Sequence, residues 1–159
     1  MVNQAPNSIV MVRPHHFTSN PQTMRDNTFQ RSCLTTDQSL HAYNEVTNAV
    51  EVLKQEGILV HLFEDQHKDT PDSVFPNNWF TTHQNGEILT YPMYAQSRRA
   101  EYRKDIIDFL TDQYKVSAVT DYSFLAKENS FLEGTGSLVI DHQYKFAYAV
   151  ESKRTTQSV

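Results

Sequence analysis

Between Asp37 and Phe63 the chain runs an amphipathic helix, a single glycine and an unbroken apolar strand in direct succession, and few folds accept that order. Leu40, Tyr43, Val46, Val50 and Leu53 recur three or four residues apart, which puts them on one face of a helix over 37–56. Thr36 or Asp37 can cap its start, and Gly57 can take the left-handed conformation that ends it. Ile58 to Phe63 then reads as a strand. A helix that returns at once into a buried strand is the connection of an α/β fold, in which helices cover a sheet.

The pattern extends both ways. Ile9 to Val12 is a short β-branched strand stopped at Pro14, and a long polar loop to Thr36 follows; a loop of that length inside a compact domain commonly carries function. Val74 to His83 and Glu87 to Tyr91 flank Gln84-Asn85-Gly86 as a hairpin, with Asn85 and Gly86 both suited to positive φ. A second helix is expected over 98–114, with Tyr102, Ile106, Phe109, Leu110 and Tyr114 along its apolar stripe, then a strand over 115–120. Phe131–Ile140 and Tyr144–Val150, joined at Asp141-His142-Gln143, form a second hairpin. Phe75-Pro-Asn-Asn and Phe131-Leu-Glu-Gly open the two hairpins 56 positions apart, an internal repeat of pattern rather than identity. By that repeat a third helix is due near Ser152, yet residues 151–159 are too few for a helix and strand. The expectation is the front portion of a larger repeated fold.

Composition narrows the function. Fourteen Lys and Arg against nineteen Asp and Glu give a net charge of −5, without the clustered cations that a nucleic-acid surface needs. The densest basic stretch, Arg98-Arg99 with Arg103-Lys104, is interleaved with Glu101 and Asp105 and reads as a solvated helix face. A single cysteine, Cys33, excludes an internal disulfide and suits a reducing compartment. No apolar run approaches the roughly 18 residues of a membrane span, and 1–6 lack a signal-peptide core, so the cytoplasm is the expected location.

Three segments can carry chemistry. Asn77 and Asn78, set behind Phe75-Pro76, either aim fixed donors and acceptors into a pocket or serve as turn residues. Glu133 stands between apolar residues and Gly134-Thr135-Gly136; desolvated there it would need a cation or a proton, whereas on an edge-strand bulge it would be solvated. Among seven histidines, neither His15-His16 nor Asp65-His67-Asp69 has helix-borne zinc-ligand spacing, and no metal or cofactor is expected. Cys33 beside Arg31 could be an activated thiol, but no placed base accompanies it.

Ser8-Ile-Val-Met-Val-Arg-Pro14, Asn20, Asp26-Asn-Thr-Phe-Gln30, Phe75-Pro-Asn-Asn-Trp79 and Leu132-Glu-Gly-Thr-Gly136, in this order, resemble the amidinotransferase-like and arginine-deiminase-like guanidine-modifying (pentein) enzymes. Within them the chain looks like the citrulline-utilisation hydrolase branch. The resemblance implies a five-bladed α/β propeller of ββαβ modules, of which residues 1–159 would be about two and a half, the amino-terminal part of one domain with the carboxy-terminal part absent. It implies covalent catalysis by a cysteine thiolate on a guanidino or ureido carbon, with a histidine moving protons and carboxylates holding the planar nitrogens.

Carried over residue by residue, Glu133 falls on the catalytic glutamate that contacts the substrate nitrogens, Asn78 on the aspartate of a Phe-x-x-Asp motif, and Phe75 on its aromatic; Asn20 is a further substrate-binding candidate. Two acids are replaced, by Asn78 and by Gly136. A carboxamide cannot neutralise a guanidinium but can serve a neutral ureido group, which favours citrulline, converted to ornithine, over arginine. The family's histidine and cysteine have no match here, so the chain alone is expected to be inactive. Open alternatives are an amidinotransferase or arginine deiminase, and a non-catalytic substrate-binding or structural half-propeller that self-associates through open strand edges.

Overall fold

A computed structural model describes residues 4–24 and 36–159, the side chains of 36 and 37 excepted. The segment with Cys33 and Asp26–Gln30 lies outside the described residues. The chain divides into two compact units, one holding the described residues between Pro6 and Pro76 with Ala95–Glu101, the other holding Gln4 and Ala5, Asn77–Tyr94 and Tyr102–Val159.

In the first unit β1 (Ser8–Pro14), α1 (Thr36–Gln55) and β2 (Leu59–Asp65) form a strand–helix–strand crossover. The two strands pair in parallel along their full length, from Ser8 opposite Leu59 to Pro14 opposite Asp65. Val46 and Val50 on α1 pack on Val60, with Ile9, Met11, Leu53, Ile58 and Leu62 around them. The stripe is buried only in its second half, since Leu40 is exposed. Gly57 has φ 81°. Its N–H donates to the Lys54 carbonyl and that of Ile58 to the Leu53 carbonyl, while Ile58 and Leu53 share the apolar cluster. This is a Schellman stop, and it turns the chain straight from helix into strand.

A four-residue helix, α2 (Gln96–Arg99), belongs to this unit and corrects both the single helix expected over 98–114 and the solvated face expected for its basic start. Arg98 and Glu101 are each 3% exposed. The Arg98 guanidinium donates to the Glu101 carboxylate at 2.9 Å and to the carbonyls of Asp72 and Phe75. Burying this pair takes 95–101 away from a continuous helix. The helix restarts after Arg103, whose backbone is extended, as α3 (Lys104–Gln113).

In the second unit β3 (Phe80–Thr82) and β4 (Glu87–Thr90) are antiparallel, and β5 (Ala118–Asp121) lies parallel to β4 on its other side. α3 makes the crossover and buries Ile106, Ile107 and Leu110. Trp79, Phe80, Ile88, Tyr91 and Met93 are buried in the same unit. The β3–β4 loop runs over four residues, His83 to Gly86, closed by the His83 N–H on the Glu87 carbonyl; of the two positions suited to positive φ, Gly86 adopts it and Asn85 does not.

The last elements are α4 (Gly134–Ser137), β6 (Leu138–Asp141) and β7 (Phe146–Ala149). The expected strand over 131–140 is therefore interrupted: Gly134–Ser137 is one helical turn, not an edge-strand bulge. A 3-10 turn, Pro76–Asn78, precedes β3 at the corresponding place, so each hairpin is entered from a helical turn. Instead of starting a helix, Ser152–Thr155 makes a tight bridge and the tail returns on the chain. Thr155 bridges Leu132, and Thr156 exchanges hydrogen bonds with Phe131. The element order, strand–helix–strand, hairpin–helix–strand, hairpin, is the mixed α/β pattern of repeated modules.

Candidate functional site

Asn77 and Asn78 end the 3-10 turn before β3, and Glu133 to Gly136 enter and form α4. The fold packs these segments together although they are more than 50 residues apart in sequence. Thr135 Oγ1 accepts from Asn77 Nδ2 at 2.9 Å and donates to the Asn77 carbonyl at 3.2 Å. Gly134, with φ 32°, passes so close that a Cβ there would meet the Asn77 carbonyl at 2.5 Å. A Cβ on Gly136 would lie 2.9 Å from Asn78 Cγ, with Nδ2 nearer still. The carboxamide of Asn78 thus occupies the space that a side chain at 136 would enter.

Glu133 is 1% exposed. Its Oε1 accepts the Tyr94 N–H at 3.2 Å, and Oε2 stands 3.6 Å from Arg154 Nη1. A buried carboxylate needs a compensating charge, and Arg154 supplies it. Sequence reasoning missed Arg154, because Ser152-Lys153-Arg154 reads as a polar tail; the available signal was the unmet need of Glu133 for a cation. The two segments touch, with the Glu133 carboxylate turned to Tyr94 and Arg154 and the Asn78 carboxamide laid on Gly136.

Asn20 and Phe75 lie in the other unit. Asn20 is wholly buried: its Nδ2 donates to Asp72 and Ser97, and its Oδ1 accepts the Gln22 N–H. It knits three chain segments of its unit. Phe75 is 46% exposed, and its carbonyl is held by Arg98. Asp65, in the histidine-containing connector, accepts from the His67 N–H and the Thr70 hydroxyl. No group of three or more His, Cys, Asp or Glu among the described residues could hold a metal ion. No helix among them is long and apolar enough to cross a membrane.

The second unit also has a cavity of about 750 Å³ beside its two hairpins, lined by His83, Leu89, Leu132, Ile140, His142 and Phe146 among others. Neither Asn78 nor Glu133 is among the residues lining it.

Residues 13–159 match the family model described as N,N dimethylarginine dimethylhydrolase, eukaryotic. The chain belongs to that family. Comparison with curated proteins finds no match. Solved structures resemble this dimethylarginine dimethylhydrolase family member over nearly its whole length. Unliganded AgrE superposes with a TM-score of 0.66 at 21% identity, over 95% of this chain and 20% of AgrE. The N-terminal domain of ArgZ, an arginine dihydrolase from the ornithine-ammonia cycle in cyanobacteria, in a mutant bound to substrate, gives 0.65 at 21% identity, over 95% and 51%. A mutant DDAH from Pseudomonas aeruginosa complexed with citrulline gives 0.64 at 17% identity, over 94% and 52%. At these identities the likeness establishes the fold alone, a mixed α/β arrangement matching part of each of these structures. The chain spans about half the length of the last two relatives and about a fifth of AgrE.

Proposed function

We propose that this chain forms part of a C–N hydrolase of the citrulline-utilisation branch, acting on a ureido or guanidino amino acid, with citrulline to ornithine as the favoured reaction, in the cytoplasm. The observation that carries the reading is the contact of the Asn77-Asn78 turn with the Glu133–Gly136 turn. Within the second unit Glu133 is the acid assigned to the substrate nitrogens and Asn78 the neutral carboxamide beside them, whereas Asn20, buried against Asp72, Ser97 and Gln22, serves its own unit. Family membership supports the class of chemistry, and the citrulline complex of the Pseudomonas relative supports an amino acid of this kind as ligand.

On this reading the chain contributes substrate contacts to one propeller domain and is expected to bind without turning over. Isothermal calorimetry on the chain with citrulline and with arginine tests the reading. Citrulline is expected to bind the more tightly. A preference for arginine would remove the ureido assignment, and release of ammonia from citrulline would overturn the expected inactivity. A half-propeller that pairs with another chain is the second reading, favoured by the two-stranded β6–β7 ribbon, whose Val139, Phe146 and Tyr148 are exposed. Gel filtration tests it, a clean monomer counting against.

A further inference from the structure

The hydroxyl of Thr135 makes two hydrogen bonds to one residue, Asn77, and a hydroxyl can do this because it carries one donor and two acceptor positions. One bond takes the Asn77 side chain and the other its carbonyl, so both ends of the residue preceding Asn78 are fixed. On the other side of Thr135, Gly136 has no Cβ, and the Asn78 carboxamide fills that space with Nδ2 turned towards the glycine and Oδ1 farther off at 3.3 Å from the Cβ position. With the amino edge against Gly136, the carbonyl edge is the one set farther from the turn. A Cβ at 136 would strike only the end of a side chain that can rotate away, whereas one at 134 would strike backbone.

We propose that Thr135 is a positioning residue and Gly136 the specificity-determining position of this site, acting together to present the carbonyl edge of Asn78 to the nitrogens of a planar head group. The inference rests on the reading of Asn78 as ligand-facing given above. Neither residue needs to touch the ligand: Thr135 acts through Asn77, and Gly136 acts by the space it leaves.

The test uses the whole chain and the variants Thr135→Val, Thr135→Ser and Gly136→Ala, with citrulline as the probe. The side-chain amide resonances of Asn78, assigned by their loss in Asn78→Ala, report its orientation directly. In Gly136→Ala and Thr135→Val these resonances should shift and citrulline affinity should fall about tenfold, the loss of one good hydrogen bond. The unfolding midpoint should stay near that of the parent. Thr135→Ser keeps the hydroxyl and should restore both readouts, which a merely space-filling role for the threonine would not require. Unchanged Asn78 resonances in both Thr135→Val and Gly136→Ala would overturn the proposal. Should the parent chain bind no citrulline, the functional reading fails, and the amide resonances still decide the positioning claim. Should Gly136→Ala fail to fold, the Thr135 pair decides it.

Discussion

Arg98 and Glu101 form an ion pair at 2.9 Å with almost no access to water, and Asp72 stands 3.8 Å from the same guanidinium. Two carboxylates therefore share one cation. Burial raises Glu101 to about 7, Arg98 offsets part of that rise, and Asp72 adds to it.

This arrangement has a pH signature. An unfolded Glu101 releases its proton near 4.5 and the folded one near 7, so between these values the folded state holds the extra proton. Its contribution to stability is complete below the lower value and is lost as pH rises through the upper one, a loss bounded at roughly 3 kcal/mol. Urea unfolding at pH 5 and pH 8 should show it. Glu101→Gln, a neutral mimic, should flatten the dependence; an equal slope in that variant would place the proton elsewhere.

Removing the cation is the harsher change. Arg98→Met leaves Asp72 and Glu101 buried side by side and frees the Phe75 carbonyl. A loss of about 3–5 kcal/mol is expected in chemical denaturation. A loss within the error of a surface substitution would mean that water reaches the pair.

The two glycines of α4 should respond differently to alanine. At Gly134 the left-handed φ and the Asn77 carbonyl leave no room, and Gly134→Ala should cost on the order of 1–3 kcal/mol. Gly136→Ala meets only the Asn78 carboxamide and should cost less than about 1 kcal/mol, its effect falling on binding instead. Thermal unfolding of the pair separates the two cases, and equal losses would refute the distinction.

Asn78→Asp puts a negative charge against Gly136 and should move preference from the neutral ureido group to the guanidinium. Calorimetry with both ligands should show arginine gaining on citrulline by about tenfold, as a charge-assisted bond replaces a neutral one. An unaltered ratio would mean that Asn78 does not meet the head group.

Local periodicity made the first unit readable: the apolar spacing of α1, the stop at Gly57 and the strand after it depend on neighbours a few residues away. What escaped depends on distant partners. Arg98 looks solvated among its neighbours because Asp72, which draws it inside, lies 26 residues earlier. Gly134-Thr135-Gly136 looks like a weakened strand because the segment that shapes it is Asn77-Asn78, 58 residues before Thr135 in the case of Asn77. The burial of Glu133 was one of the two readings left open by a carboxylate in an apolar setting. Its cation was not legible, since nothing in the spacing of Arg154 points back across 21 residues.

The return of residues 155–158 onto Ser130, Phe131 and Leu132 has a practical corollary. That stretch buttresses the segment leading into Glu133 and is no idle extension. A fluorophore or affinity tag joined after Val159 would be anchored within a few residues of the buttress, and trimming from Thr155 onward would strip Phe131 and Leu132 of these bonds just ahead of the carboxylate.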